Sequence, residues 1–222
     1  VNVTFDCATI QHATASVIEF KTLPPDPSVN PLGIIMAQQN PVPGNQLDPA
    51  GDGGLHAEQD FNICASFSVA GDYTPASSST PSAQVGIAPP SANPITGAFF
   101  GFAVHTSSPV YELMSRYNLG GGPVIVTIPL PVFNDGLFHR LKVGRLLGDP
   151  IATNGDGTST AQYTVVVDDG PPLTYTLIVQ DDCMIPTLIF DGGTVAGGTA
   201  LAGVDALMDD YCCLFNDICG GG

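Results

Sequence analysis

Asn134-Asp135-Gly136-Leu137-Phe138-His139-Arg140-Leu141-Lys142-Val143 decides how the rest of the chain is read. Asn, Asp and Gly favour positive φ or side-chain hydrogen bonds to the nearby backbone, so the first three residues cannot extend a strand. The residues that follow alternate in polarity, which predicts a strand launched from a tight turn. On such a strand Leu137, His139, Leu141 and Val143 share one face, and Phe138, Arg140 and Lys142 share the other.

Working outward, the same signature recurs. Val1 to Phe5, Ala15 to Thr22 and Leu32 to Ala37 are short apolar or alternating runs. So are Phe61 to Val69, Phe99 to His105, Val110 to Tyr117, Val124 to Ile128, Gln162 to Asp168, Leu173 to Val179 and Pro186 to Phe190. Each is of strand length and bounded by Gly, Pro, Asn or Asp. Only Ala202 to Met208 offers a helical turn or two. Repeated short strands without alternating helices predict an all-β fold, an antiparallel two-sheet β-sandwich of the jelly-roll kind. A single domain over 1–222 is expected, with a Pro/Ser/Gly-rich insertion at about 38–96 and a Cys-rich C-terminal segment at 183–222. Within the insertion, Thr74 to Pro94 has the composition of a linker.

Twenty-one acidic residues face five basic ones, a net charge of −16. Lys21, Arg116, Arg140, Lys142 and Arg145 are too few for a basic patch, which argues against nucleic acid, heparin-like polyanions and anionic membranes as partners. Charged residues are scarce and mean hydropathy is positive, as in a chain that folds. Six cysteines at 7, 64, 183, 212, 213 and 219 include no CxxC pair, so they read as disulfides in an oxidising compartment. Cys212 and Cys213 are poor partners for each other because adjacent residues bridge only with strain. The sequon at Asn2, as a glycosylation acceptor, agrees with a mature secreted, extracellular chain, as does the lack of an 18-residue apolar run.

Together, three of these segments resemble the core of the laminin G-like family of the concanavalin-like jelly rolls. They are Tyr111-Glu112-Leu113-Met114-Ser115-Arg116-Tyr117-Asn118-Leu119-Gly120-Gly121-Gly122, the Asn134 to Val143 stretch, and Tyr163-Thr164-Val165-Val166-Val167-Asp168-Asp169-Gly170. Val17 to Thr22 with Gly33 to Ala37 looks like the family's opening, and 38–96 has no counterpart. The resemblance implies a C-terminal disulfide from Cys183 to Cys212 or Cys213. It also implies that Phe138, where the family carries tryptophan, is a packing residue.

Catalytic motifs are not evident. Jelly-roll glycosidases present two carboxylates at alternate positions of one strand, whereas Glu19 and Glu112 each stand alone. His139 shares its face with Leu137, Leu141 and Val143 and is read as a hydrogen-bonded structural histidine, and His12, His56 and His105 are isolated. Calcium is the expected cofactor, on a loop carrying Asp149, Asn154 and Asp156, whose oxygens suit that ion. Asp48, Asp52, Glu58 and Asp60, and Asp181 with Asp182, are weaker clusters of the same type. The resulting expectation is a non-enzyme: an extracellular recognition or adhesion module binding a protein or neutral glycan through its loop rim. The alternative is a structural subunit self-associating into an oligomer, matrix or filament.

Overall fold

The computed structural model describes residues 18–21, 34–38, 61–70, 83–90, 92–93, 96–105, 110–133, 137–145, 149–182, 184–191 and 205–214. They form thirteen strands and no helix. In chain order these are β1 (Ile18–Lys21), β2 (Ile34–Gln38), β3 (Phe61–Ala70), β4 (Ala83–Ala88), β5 (Phe99–His105), β6 (Val110–Asn118) and β7 (Pro123–Phe133). β8 (His139–Arg145), β9 (Ile151–Thr153), β10 (Thr158–Val167), β11 (Leu173–Gln180), β12 (Ile185–Asp191) and β13 (Asp205–Leu214) complete them. One sheet runs β1-β13-β3-β8-β10-β11, with β9 also on β10, and the other runs β2-β12-β4-β5-β6-β7. Every pairing is antiparallel, giving the all-β two-sheet jelly-roll sandwich that the strand periodicity predicts.

Alternation along the strands sets the core. Leu141 and Val143 on β8, Tyr163 and Val165 on β10, and Phe100, Phe102 and Leu113 on the opposite sheet are all buried in one apolar cluster. Phe100 and Tyr163 meet across the sheets with ring centroids 4.5 Å apart, and burial pushes the Tyr163 phenol far above its ordinary range. At one side of the sandwich the sheets are tied by polar bonds. Ser115 Oγ donates to the Ile178 carbonyl at 2.6 Å, and the Asn118 amide donates to Gln180 Oε1 at 3.0 Å.

Two expectations change here. The linker reading of Thr74 to Pro94 gives way, because β4 lies within it as an inner strand with all six residues buried. β3, from the same region, is an inner strand of the other sheet, between β13 and β8. Of the helical turn expected at Ala202 to Met208, the described residues 205–208 are instead the start of β13, paired with both β1 and β3, so ladder hydrogen bonds outweigh local propensity there. Val1 to Phe5 lies outside the described residues.

Candidate functional site

The site is built on β8 and on the turn that follows β10. β8 begins at His139, whose backbone stands opposite Phe67 of β3. The hairpin from β10 to β11 turns through Val167-Asp168-Asp169-Gly170, closed by the Gly170 amide donating to the Val167 carbonyl at 2.8 Å. Asp168 and Asp169 hold φ values of 50° and 56°, the left-handed conformation of a tight hairpin turn. Asn and Gly suit such a turn better than a pair of aspartates does, and β8 uses both carboxylates.

Asp168 accepts from the Arg140 amide through Oδ1 at 2.8 Å, and its Oδ2 lies 2.9 Å from His139 Nδ1. The carboxylate accepts only, so the imidazole donates to it from Nδ1, which fixes the ring's orientation. The Tyr111 ring, fully buried on β6, meets the imidazole edge-on at 5.4 Å between centroids. His139 is thus held from both sheets, and its side chain remains 12% exposed at the rim of the sandwich. Asp169 takes Lys142 Nζ at 2.8 Å and Arg140 Nη1 at 3.7 Å. The hydrogen bond and charge of Lys142 hold the Asp169 carboxyl below its ordinary value.

A second polar group lies on the outer face of the other sheet. Arg116 is buried; its Nε donates to the Gly97 carbonyl, its Nη1 to Gln84 Oε1 at 3.5 Å, and its guanidinium lies 5.9 Å from the Phe99 ring centroid. Burial lowers its pKa to about 10, so it is charged at neutral pH. Arg116 stands opposite Phe99 and Gln84 opposite Ala103, so their bond crosses Gly101. Gly101 in turn stands opposite Gly86. A Cβ on Gly101 would meet the Val85 carbonyl oxygen at 2.4 Å, and one on Gly86 would meet that of Phe100 at 2.1 Å. Gln38 Nε2 donates to the Pro89 carbonyl at 2.9 Å and to Thr187 Oγ1 at 3.0 Å. The connection from β4 to β5 is therefore strapped to the sheet at both ends, by Gln38 at Pro89 and by Arg116 at Gly97.

Each of the expected calcium residues is hydrogen-bonded close by in the chain. Asp156 accepts from the Thr158 amide at 3.0 Å and its hydroxyl at 2.6 Å, and the hydroxyl bond lowers its pKa. Asn154 donates to Thr158 Oγ1 at 2.9 Å and accepts from Thr160 Oγ1 at 3.2 Å. Asp149 meets Arg145 Nη2 through its backbone carbonyl at 3.0 Å. Asn154 and Asp156 thus share a turn, and Asp149 is not brought to it by any of these bonds. Among the described residues no three His, Cys, Asp or Glu side chains are grouped to hold a metal. Asp181 accepts from Ser159 Oγ at 3.1 Å. Asn2, Asp48, Asp52, Glu58, Asp60, His12, His56 and Cys183 lie outside the described residues. Cys64 is disulfide-bonded, and the β3–β13 register sets Cys212 opposite it.

Phe138 is corrected. It is 44% exposed, and Leu137 is 64% exposed. Both precede the first ladder residue of β8, so neither is drawn into the sheet as the expected packing residue would be.

No protein-family model and no curated protein matches the chain. Solved structures similar to it include alginate lyase vAL-1 from Chlorella virus, at 13% identity over 69% of this chain and 71% of that one, TM-score 0.35. The marine PL-14 alginate lyase from Aplysia kurodai is similar at 10% identity over 72% of each chain, TM-score 0.40. A functionally unknown protein from Saccharomyces cerevisiae is similar at 9% identity over 90% of this chain and 97% of that one, TM-score 0.39. Against the expectation of a non-enzyme, whether adhesion module or matrix and filament subunit, the activity named among these structures is that of an alginate lyase. None of the three is named as an adhesion or matrix protein.

Proposed function

We propose that the protein is a carbohydrate-active enzyme that cleaves a polysaccharide, with His139 moving the proton and Asp168 orienting the ring. The observation that carries this is the 2.9 Å contact between His139 Nδ1 and Asp168 Oδ2, made by an imidazole that keeps part of its surface in contact with solvent. A carboxylate that fixes one imidazole nitrogen leaves the ring as a positioned acid-base group.

Elimination suits the residues better than hydrolysis does. Hydrolysis by the two-carboxylate route needs a pair of acids flanking the scissile bond. Asp168 and Asp169 are instead turned onto His139, Arg140 and Lys142. Elimination needs one base: His139 takes the proton beside a uronate carboxylate, a C=C bond forms, the glycosidic C–O bond breaks, and the imidazolium returns the proton to the departing oxygen. Arg140 and Lys142 follow His139 on β8 and are both held by Asp169.

Two further parts of this reading have their own support. Kinship with the laminin G-like family is supported by β8 pairing with β10 and by the turn after β10 reaching back to His139. Secretion, with a glycan partner outside the cell, is supported by the disulfide at Cys64.

The test is incubation with alginate, and with other uronate polymers, while following the ultraviolet absorbance of unsaturated ends. Wild type is expected to release them, and His139→Gln to lose activity by about 10²–10⁴-fold. Asp168→Asn is expected to lose less, because it disturbs the ring without removing it. A variant lacking His139 that matches wild type would end the proposal, as would a wild type that opens no polysaccharide.

A further inference from the structure

We propose that Phe138 is a stacking platform for a sugar ring of the polysaccharide, next to the proton-transfer group; this rests on the polysaccharide-cleaving reading above. Four large apolar side chains are exposed among the described residues: Leu119, Ile125, Leu137 and Phe138. Phe138 is the aromatic one. Leu137 and Phe138 are consecutive, both exposed, and immediately precede His139 in the chain. Exposed aromatic surface costs free energy in water and is kept where something covers it. A pyranose suits this position because one side of its ring is a patch of C–H bonds, while its rim carries the hydroxyls that donors nearby can meet.

The neighbouring charges narrow how the chain is held. Arg140 and Lys142 are each already in contact with Asp169. With both cations engaged by Asp169 and the Asp168 carboxylate close by in the turn, the strip is poorly suited to capture a polyanion at long range. Ring stacking on Phe138 therefore supplies the hold, and binding is only weakly sensitive to salt.

The chain contains no tryptophan, so Phe138→Trp installs a single tryptophan, excited apart from the tyrosines, at the proposed platform. Alginate oligosaccharides and neutral cello-oligosaccharides serve as the probes. The expected result is an emission change that saturates with one of them and persists at high salt. Phe138→Ala is expected to raise KM or Kd about tenfold with kcat little changed, a factor corresponding to ~1.4 kcal/mol. The proposal is overturned if Phe138→Ala keeps the wild-type KM, or if the Phe138→Trp emission stays flat with an oligosaccharide that wild type cleaves. An emission change in a protein that cleaves nothing would keep the platform and sink the enzyme reading. Flat emission in a protein that cleaves nothing would remove both.

Discussion

The two polar clusters of this sandwich use similar side chains to opposite ends. Arg116 and Gln84 lie on the outer face of one sheet and are nearly fully buried, and the guanidinium ties down the connection from β4 to β5 at Gly97. His139 and Asp168 sit at the rim of the other sheet, where the turn after β10 and the Tyr111 ring grip the imidazole and still leave it partly in contact with solvent. Burial alone does not mark a working residue. A buried, strapped arginine contributes to the fold, whereas an oriented histidine with an open edge can meet a ligand.

The sharpest way to break that comparison is to remove one member of each cluster. His139→Gln is expected to lose about 10²–10⁴-fold in activity while remaining folded, at a cost of ~1 kcal/mol from the lost edge contact with Tyr111. Activity that survives the change while the melting temperature collapses would make His139 a structural residue and reverse the contrast.

The buried cluster should show the opposite profile. Gly101→Val puts a branched side chain against the Val85 carbonyl and into the path between Arg116 and Gln84, and is expected to cost on the order of 3 kcal/mol in chemical denaturation. Arg116→Met removes the donors to Gly97 and Gln84 and is expected to cost ~2 kcal/mol, with the folded fraction retaining full turnover. Wild-type stability in either variant would show that the strap over this face contributes nothing. Lost turnover in folded Arg116→Met would move the working site to this face.

Most of the architecture was legible from period-two alternation and turn residues, because a half-buried strand leaves that pattern wherever one side meets the core. β4 was not, since Ala83-Gln84-Val85-Gly86-Ile87-Ala88 sits among Pro and Ser and is buried on both faces, which leaves weak alternation and a compositional disguise. β13 was missed because small apolar residues satisfy either state until neighbouring strands decide. At the site, His139 was visible as a residue but not as half of a pair. Its partner lies 29 positions away, and only the fold joins them. The available signal was an Asp-Asp pair where a tight hairpin turn favours Asn-Gly. Phe138 was misplaced because extrapolating the alternation back to Leu137 began the strand two residues too soon.

The smallest expected effect tests how the turn is held. Lys142 is the main reason that the Asp169 carboxyl titrates below its ordinary value, first through the hydrogen bond and then through charge, with Arg140 adding less. A carboxyl depressed in the folded state stabilises that state above its unfolded pKa, and the contribution fades as pH falls through the folded value. Lys142→Met should therefore move the Asp169 titration upward, read by NMR of the side-chain carboxyl carbon, and should soften the acid limb of stability. Because Asp169 is open to solvent, the change at neutral pH should be too small to register in a melt. His139 is gripped by Asp168 rather than by Asp169, so the variant should keep its activity. An unmoved Asp169 titration would show that Lys142 does not hold the turn, and lost activity would show that the two aspartates work as one unit.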